Sequence, residues 1–273
     1  MKRIATLTMN PSVDLTMSVD QVMPTRKLRC DSPRRDPGGG GINVARVFHE
    51  LGGTVVAVFP SGGPTGMFLK DILRRKGIEY FDIEFKALTR ESFSINETST
   101  GKQYRFVLPG PVLTKEEWES CLEKITHLDP PPDYIVASGS LPRGVPDDFY
   151  ARLASALRDS ETRLILDTSG EPLRIALEEG VFLVKPNQEE LAEFVGRDLD
   201  DSASQEDACR ELVDKGASEV VALTLGSEGA LLVSGEETVR LPAIEVEVNS
   251  AVGAGDSFVA GLTLGLVRNW FRA

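Results

Sequence analysis

The chain has 273 residues, 41% of them hydrophobic and 26% charged, an ordinary globular composition at a length that suits one large α/β domain as well as two small ones. Thirty Lys and Arg stand against 42 Asp and Glu, a formal charge of −12 that argues against a broad nucleic-acid or membrane surface and requires any anionic ligand to meet a local basic cluster. Cys30, Cys121 and Cys209 are odd in number, far apart and outside any CxxC, and no apolar run reaches the ~18 residues of a membrane span; neither a disulfide framework, a zinc site nor a targeting segment is indicated, and a cytoplasmic protein with reduced thiols is expected.

Along the chain, RIATLTMN reads as a first buried strand. Residues 15–36 lack helical periodicity. Gly38 to Gly41 then lead into a helix whose apolar face carries Val44, Val47, Phe48 and Leu51. TVVAVFPSG is a second buried strand and MFLKDILRRKG a helix. RESFSINETSTGKQYRFV alternates Phe93 and Ile95 with polar neighbours, turns at Ser99 to Lys102 and resumes at Tyr104 and Phe106, the pattern of an antiparallel hairpin. YIVASGS, RLILDTSG, VFLVKPN and EVVALTLG follow as strands, interleaved with the helical FYARLASALRDS, EELAEFVG and EDACRELVDKG. Alternating strands and helices predict a mostly parallel sheet covered on both faces, with ligands outside the carboxyl ends of its strands. Segments 15–36 and 90–107 are expected to pair as a small sheet standing off the main body, a flap able to close over a ligand, rather than as two surface excursions.

Chemistry concentrates in two places. In NSAVGAGDSFVAG, Gly253 and Gly255 precede Asp256 and an apolar run, so a loop opens a helix there. Free amides at such a start, with small residues around them, form an anion hole suited to a transferring phosphoryl group. Asp256 alone could be a helix cap; two glycines beside it favour a base that takes the proton of an attacking hydroxyl. The four glycines before Asn43 let backbone lie against a ligand, with the Asn amide free to bond hydroxyls; a merely flexible loop would not need that Asn. There is no GxxxxGK[ST], and no strand followed by GxGxxG, so P-loop and dinucleotide folds are set aside. Asn187 and Glu190 in VKPNQEEL have capping-box spacing. LTLGSEGALLV reads, unaided, as a strand, a turn at Ser227 to Gly229 and a second strand.

GGGGINVAR together with AVGAGDSFVAG resembles the paired signatures of the PfkB, or ribokinase-like, carbohydrate kinases. The likeness runs along nearly the whole chain. TLTMNPSVD, RKLRC, QYRFVLPG, SGSLPRGV, SGEPL and VKPNQEEL are most similar to the type 2 6-phosphofructokinase branch. The resemblance implies a single ribokinase-like kinase domain over residues 1–273, with lid segments 15–36 and 90–107. It implies ATP-dependent phosphorylation of fructose 6-phosphate at its C1 hydroxyl, with Asp256 as general base. Relatives acting on fructose 1-phosphate or tagatose 6-phosphate more often carry GKGIN in the glycine loop, and Gly40 replaces that lysine here.

By the same resemblance, Asp14, Gly39, Gly40, Asn43 and Ser140 would contact the sugar, while Lys27, Arg90 and Arg105 would meet phosphates. Lys185, Asn187, Thr224, Gly226, Gly229, Gly253 and Gly255 would border ATP. Asn187 and Glu190 would also organise Mg²⁺, and Ser250 with the Val252 carbonyl would bind K⁺. A homodimer through the exposed face of the lid is implied too. Family members continue past RNWFRA through elements that complete the adenine pocket and the K⁺ site, so both are expected to be incomplete here. The rivals are the same chemistry on fructose 1-phosphate or tagatose 6-phosphate, and a sugar-phosphate-binding protein without catalysis, which would need neither Asp256 nor a metal site.

Overall fold

The structure, a computed structural model, describes residues 2–245 and 253–270. Its frame is a nine-stranded sheet with the order β13-β12-β11-β10-β9-β8-β1-β4-β5. The central strands are β1 (Ile4–Leu7), β4 (Val55–Ser61), β8 (Tyr134–Ser138), β9 (Arg163–Asp167), β10 (Val181–Val184) and β11 (Ser218–Thr224). They pair in parallel, with β5 (Glu79–Glu84) at one edge; β12 (Ala230–Ser234) and β13 (Thr238–Leu241) turn antiparallel at the other. Every residue of β1, β4, β8 and β10 is buried, as strands with both faces covered must be.

Side chains alternate between two cores. Ala5, Leu7, Val56 and Val58 face helices α3 (Lys115–Thr126), α4 (Phe149–Leu157), α5 (Gly170–Glu179), α6 (Gln188–Val195) and α7 (Ser202–Asp214). Ile4, Val55, Ala57 and Phe59 face α1 (Gly40–Glu50), α2 (Gly63–Arg75) and α8 (Ala254–Val267). α1 and α8 lie side by side on that second face, so both glycine-led helix starts come to the carboxyl edge of the sheet.

The remaining strands form a separate sheet, order β3-β2-β6-β7, from β2 (Ser12–Val19), β3 (Arg34–Gly38), β6 (Arg90–Glu97) and β7 (Gln103–Val107). β2 runs parallel to β6, with Asp14 opposite Ser92, while β3 and β7 flank them antiparallel. Strand alternation gives this sheet two unlike faces. Val13 and Leu15 join the α1, α2 and α8 core, whereas Asp14, Ser92 and Arg105 line the hollow between sheet and body. The β2 strand begins at Ser12, earlier than the pattern of residues 15–36 suggests, and 20–33 leaves the sheet as a connection.

Candidate active site

A cleft of about 340 Å³ opens where the lid sheet faces the carboxyl ends of β8 and β9 and the starts of α1 and α8. Of the residues proposed from sequence to touch sugar, base or phosphate, Asp14, Gly39, Gly40, Asn43, Arg90, Arg105, Ser140, Glu190, Gly253 and Asp256 all line it. They come from seven chain segments, and the topology alone unites them.

Gly40 lies so close to β8 that a Cβ there would sit 2.2 Å from Ser138 Oγ, and Gly39 has φ +106°. The glycine run is therefore a close-approach device rather than slack. Asn43, in the first turn of α1, donates from Nδ2 to Asp256 Oδ2 at 2.9 Å, across the α1–α8 seam. The start of α8 has Gly253 as N-cap and, among the described residues, no side-chain cap, and its first amides lie at the cleft. Burial pushes the Asp256 carboxyl above the usual range; Asn43 donation pulls it back, the charge of Asp167 pushes it up again, and Lys185 and Ser138 lower it.

On the lid side, Ser12 Oγ donates to Asp14 Oδ1 at 2.7 Å and fixes that carboxylate. Arg90 donates to the carbonyls of Asn10 (3.1 Å) and Leu108 (3.2 Å), and burial lowers its pKa against the opposing pull of Asp14. Arg105 is exposed and free to turn into the cleft. Ser140 Oγ accepts from Asn10 Nδ2 at 3.2 Å.

On the nucleotide side, Asn187 and Glu190 form a capping box at the start of α6: Glu190 N donates to Asn187 Oδ1 and Asn187 N to Glu190 Oε2, both at 2.8 Å. Burial raises the Glu190 pKa, partly offset by that backbone donation. Asn187, Thr224 and Gly226 border a neighbouring groove of about 600 Å³. Lys185 is buried behind the cleft, its Nζ 3.9 Å from where a Cβ on Gly255 would lie.

Lys27 and Gly229 line neither the cleft nor the neighbouring groove. Lys27 is exposed on the 20–33 connection and is not among the residues lining the cleft. Its connection leaves β2 at Val19, seven residues from Ser12 or about 23 Å along the strand. It is latched there by Val22 N to Glu97 and Ser18 N to Asp31, both 2.7 Å. Gly229 has φ +110°, and a Cβ there would lie 2.0 Å from Leu241 O, so this position admits only glycine where the chain leaves β13. Ser250 and Val252 lie outside the described residues.

The whole-chain comparison agrees with this geometry. The pfkB family carbohydrate kinase profile matches residues 7–271. The chain belongs to the pfkB family of carbohydrate kinases. It is 52% identical over 268 residues to ATP-dependent 6-phosphofructokinase isozyme 2 of Mycobacterium tuberculosis, covering 98% of this chain and 79% of that one. Crystal structures of phosphofructokinase-2 from Escherichia coli, one in complex with fructose-6-phosphate and one with potassium, match at a TM-score of 0.93 and 40% identity. They cover 98% of this chain and 88% and 87% of theirs.

In this PfkB kinase the sequence reading passed over Asp167 and Ser138, both in the cleft. Asp167 pairs with Lys185 at 3.1 Å and accepts from Ser138 Oγ at 3.1 Å. Register unites them: β8 and β9 pair Ser138 with Asp167, and the β9–β10 register of Leu166 with Val184 carries on to set Asp167 beside Lys185. The ends of parallel runs, aligned, bring three polar residues to one depth.

Proposed function

We propose that this kinase is an ATP-dependent 6-phosphofructokinase, converting ATP and fructose 6-phosphate to ADP and fructose 1,6-bisphosphate. The observation that carries the reading is Asp256, half-buried at the start of α8, held by Asn43 and facing Asp14 across one cleft. Asp14, Asn43 and the backbone of Gly39 and Gly40 bind sugar hydroxyls; Arg90 and Arg105 meet the 6-phosphate, Arg105 with the freer guanidinium. Asp256 takes the C1 hydroxyl proton as that oxygen attacks the γ-phosphorus in line. The amides after Gly253 receive the negative charge, and Lys185 supports them from behind.

Asn187, Thr224 and Gly226 border the nucleotide. Mg²⁺ carried by ATP keeps several waters and needs one or two carboxylates; Glu190, half-buried with Oε2 on the Asn187 amide, is the residue that would meet it. When bound, the ion neutralises charge on the transferring phosphoryl oxygens. K⁺ binding at Ser250 and Val252 draws support from the potassium complex of the E. coli relative.

The choice of sugar rests on Gly40. Relatives acting on other phosphosugars more often carry GKGIN, and a Cβ at this position would collide with Ser138 Oγ here. A coupled ADP-release assay over fructose 6-phosphate, fructose 1-phosphate and tagatose 6-phosphate tests it. The highest kcat/KM is expected for fructose 6-phosphate; preference for either other sugar moves the chain to that activity, and sugar-phosphate binding without turnover makes it a binder. We also propose a homodimer through the lid. β7 is one of its two edge strands, and Phe106, Val107 and Leu108 are consecutive, apolar and exposed. Among the described residues no helix is long and apolar enough to cross a membrane.

A further inference from the structure

The motif GGGGINVAR ends in an arginine that the proposed chemistry leaves unused. Arg46 lies one helical turn after Asn43 on α1, half-buried, at the wall of the larger hollow under the lid. Its Nη1 lies 3.3 Å from two acceptors, Pro37 O on lid strand β3 and Asn43 Oδ1 on α1. Its Nε is buried without a hydrogen-bond partner in the described structure, so the guanidinium is held by those two oxygens.

Asn43 stands between a donor and a carboxylate. Its oxygen faces Arg46 and its amide nitrogen faces Asp256 Oδ2. Only one of the two amide orientations satisfies both neighbours, because a flipped Asn43 would turn its NH₂ to the guanidinium and its oxygen to the carboxylate. We infer that Arg46 is a positioning residue that locks Asn43 in the orientation that aims Asp256, and that it couples this base to the lid through Pro37. The inference rests on Asp256 as the base.

The groups facing Asp256 are Asn43 from α1, Ser138 from β8, Asp167 from β9 and Lys185 beyond β10. Asp14, Arg90 and Arg105 of the lid and Glu190 of α6 line the same cleft. Arg46 reaches Asp256 only through Asn43. Its loss therefore acts by freeing one hydrogen bond to the ionised carboxylate, which raises the pH at which the base becomes protonated.

The test is Arg46→Met, read beside Arg46→Gln, which is polar but two bonds shorter, so that a folding defect of one variant does not hide the result. Each is expected to lower kcat about tenfold with the sugar-phosphate KM within about twofold, and to move the acidic limb of kcat/KM upward by about half a pH unit. In an Asn43→Ala background the Arg46 change is expected to add less than about twofold, because the link is already cut. Parental kcat and acidic limb in both variants, or a loss that multiplies in full on Asn43→Ala, would overturn the inference. Asp256→Asn measured alongside separates two failures. Turnover surviving there removes the base itself, whereas a dead Asp256→Asn with unchanged Arg46 variants removes only the coupling.

Discussion

The two sheets of this kinase are built on opposite principles. In the nine-stranded sheet both faces are covered, so its central strands are mostly apolar runs, and at their carboxyl ends Ser138, Asp167 and Lys185 stand at one depth. In the four-stranded lid, one face joins the core through Val13 and Leu15 while the other offers Asp14, Ser92 and Arg105 to the cleft, and the edge strand is left open. The body spends its sequence on burial; the lid divides its sequence between anchoring on one face and polar residues toward the cleft on the other. The difference teaches where substitutions damage folding and where they damage function.

The contrast can be broken or sharpened in order of effect. Phe149, fully buried between Trp118 and Tyr150, belongs to the body; Phe149→Ala should cost about 3–5 kcal/mol in a denaturant titration. Phe106→Ser on the lid edge should change monomer stability by no more than about 0.5 kcal/mol yet shift light scattering from dimer to monomer. Equal stability losses at the two sites would erase the distinction. Arg105→Ala should raise the sugar-phosphate KM roughly 10- to 100-fold, the worth of one charge-assisted contact, with little change in kcat. A matching fall in kcat would move Arg105 to the transferring phosphoryl.

Smaller effects follow from burial of Asp256, the proposed base. The Asp256 carboxyl titrates above the usual carboxylate range, so kcat/KM should fall with acid before an ordinary carboxylate would protonate. A folded-state pKa raised above the unfolded one makes the ionised group a stability cost at neutral pH, since stability falls as pH rises through the raised value. Asp256→Asn should therefore raise Tm by on the order of a few °C, the smallest of these changes.

The body was legible in the sequence because continuous apolar runs closed by Gly, Ser or Asn are what a covered parallel sheet requires. Asp256 and the Gly38 to Gly41 run were legible because helix starts lined with glycine are unusual without a ligand. The lid hairpin was visible from the alternation at Phe93 to Phe106, and the structure pairs it with β2. What sequence hid was registration across strands. Asp167 closes RLILD as any polar residue closes a buried run, and its pairing with Lys185 needs the offset between β9 and β10. Lys27 is assigned to a phosphate by resemblance alone, and its connection leaves the lid at the far end of β2. Unaided, the segment at Gly229 reads only as a turn between strands, and the path of the chain beyond β13 adds a steric demand for glycine there.

The most direct test of the account is Asp256→Asn, with sugar-phosphate binding followed by calorimetry and turnover by coupled ADP release. Binding should persist within a few-fold while turnover falls by about 10²–10⁴. Undiminished turnover would show that this carboxylate is not the base.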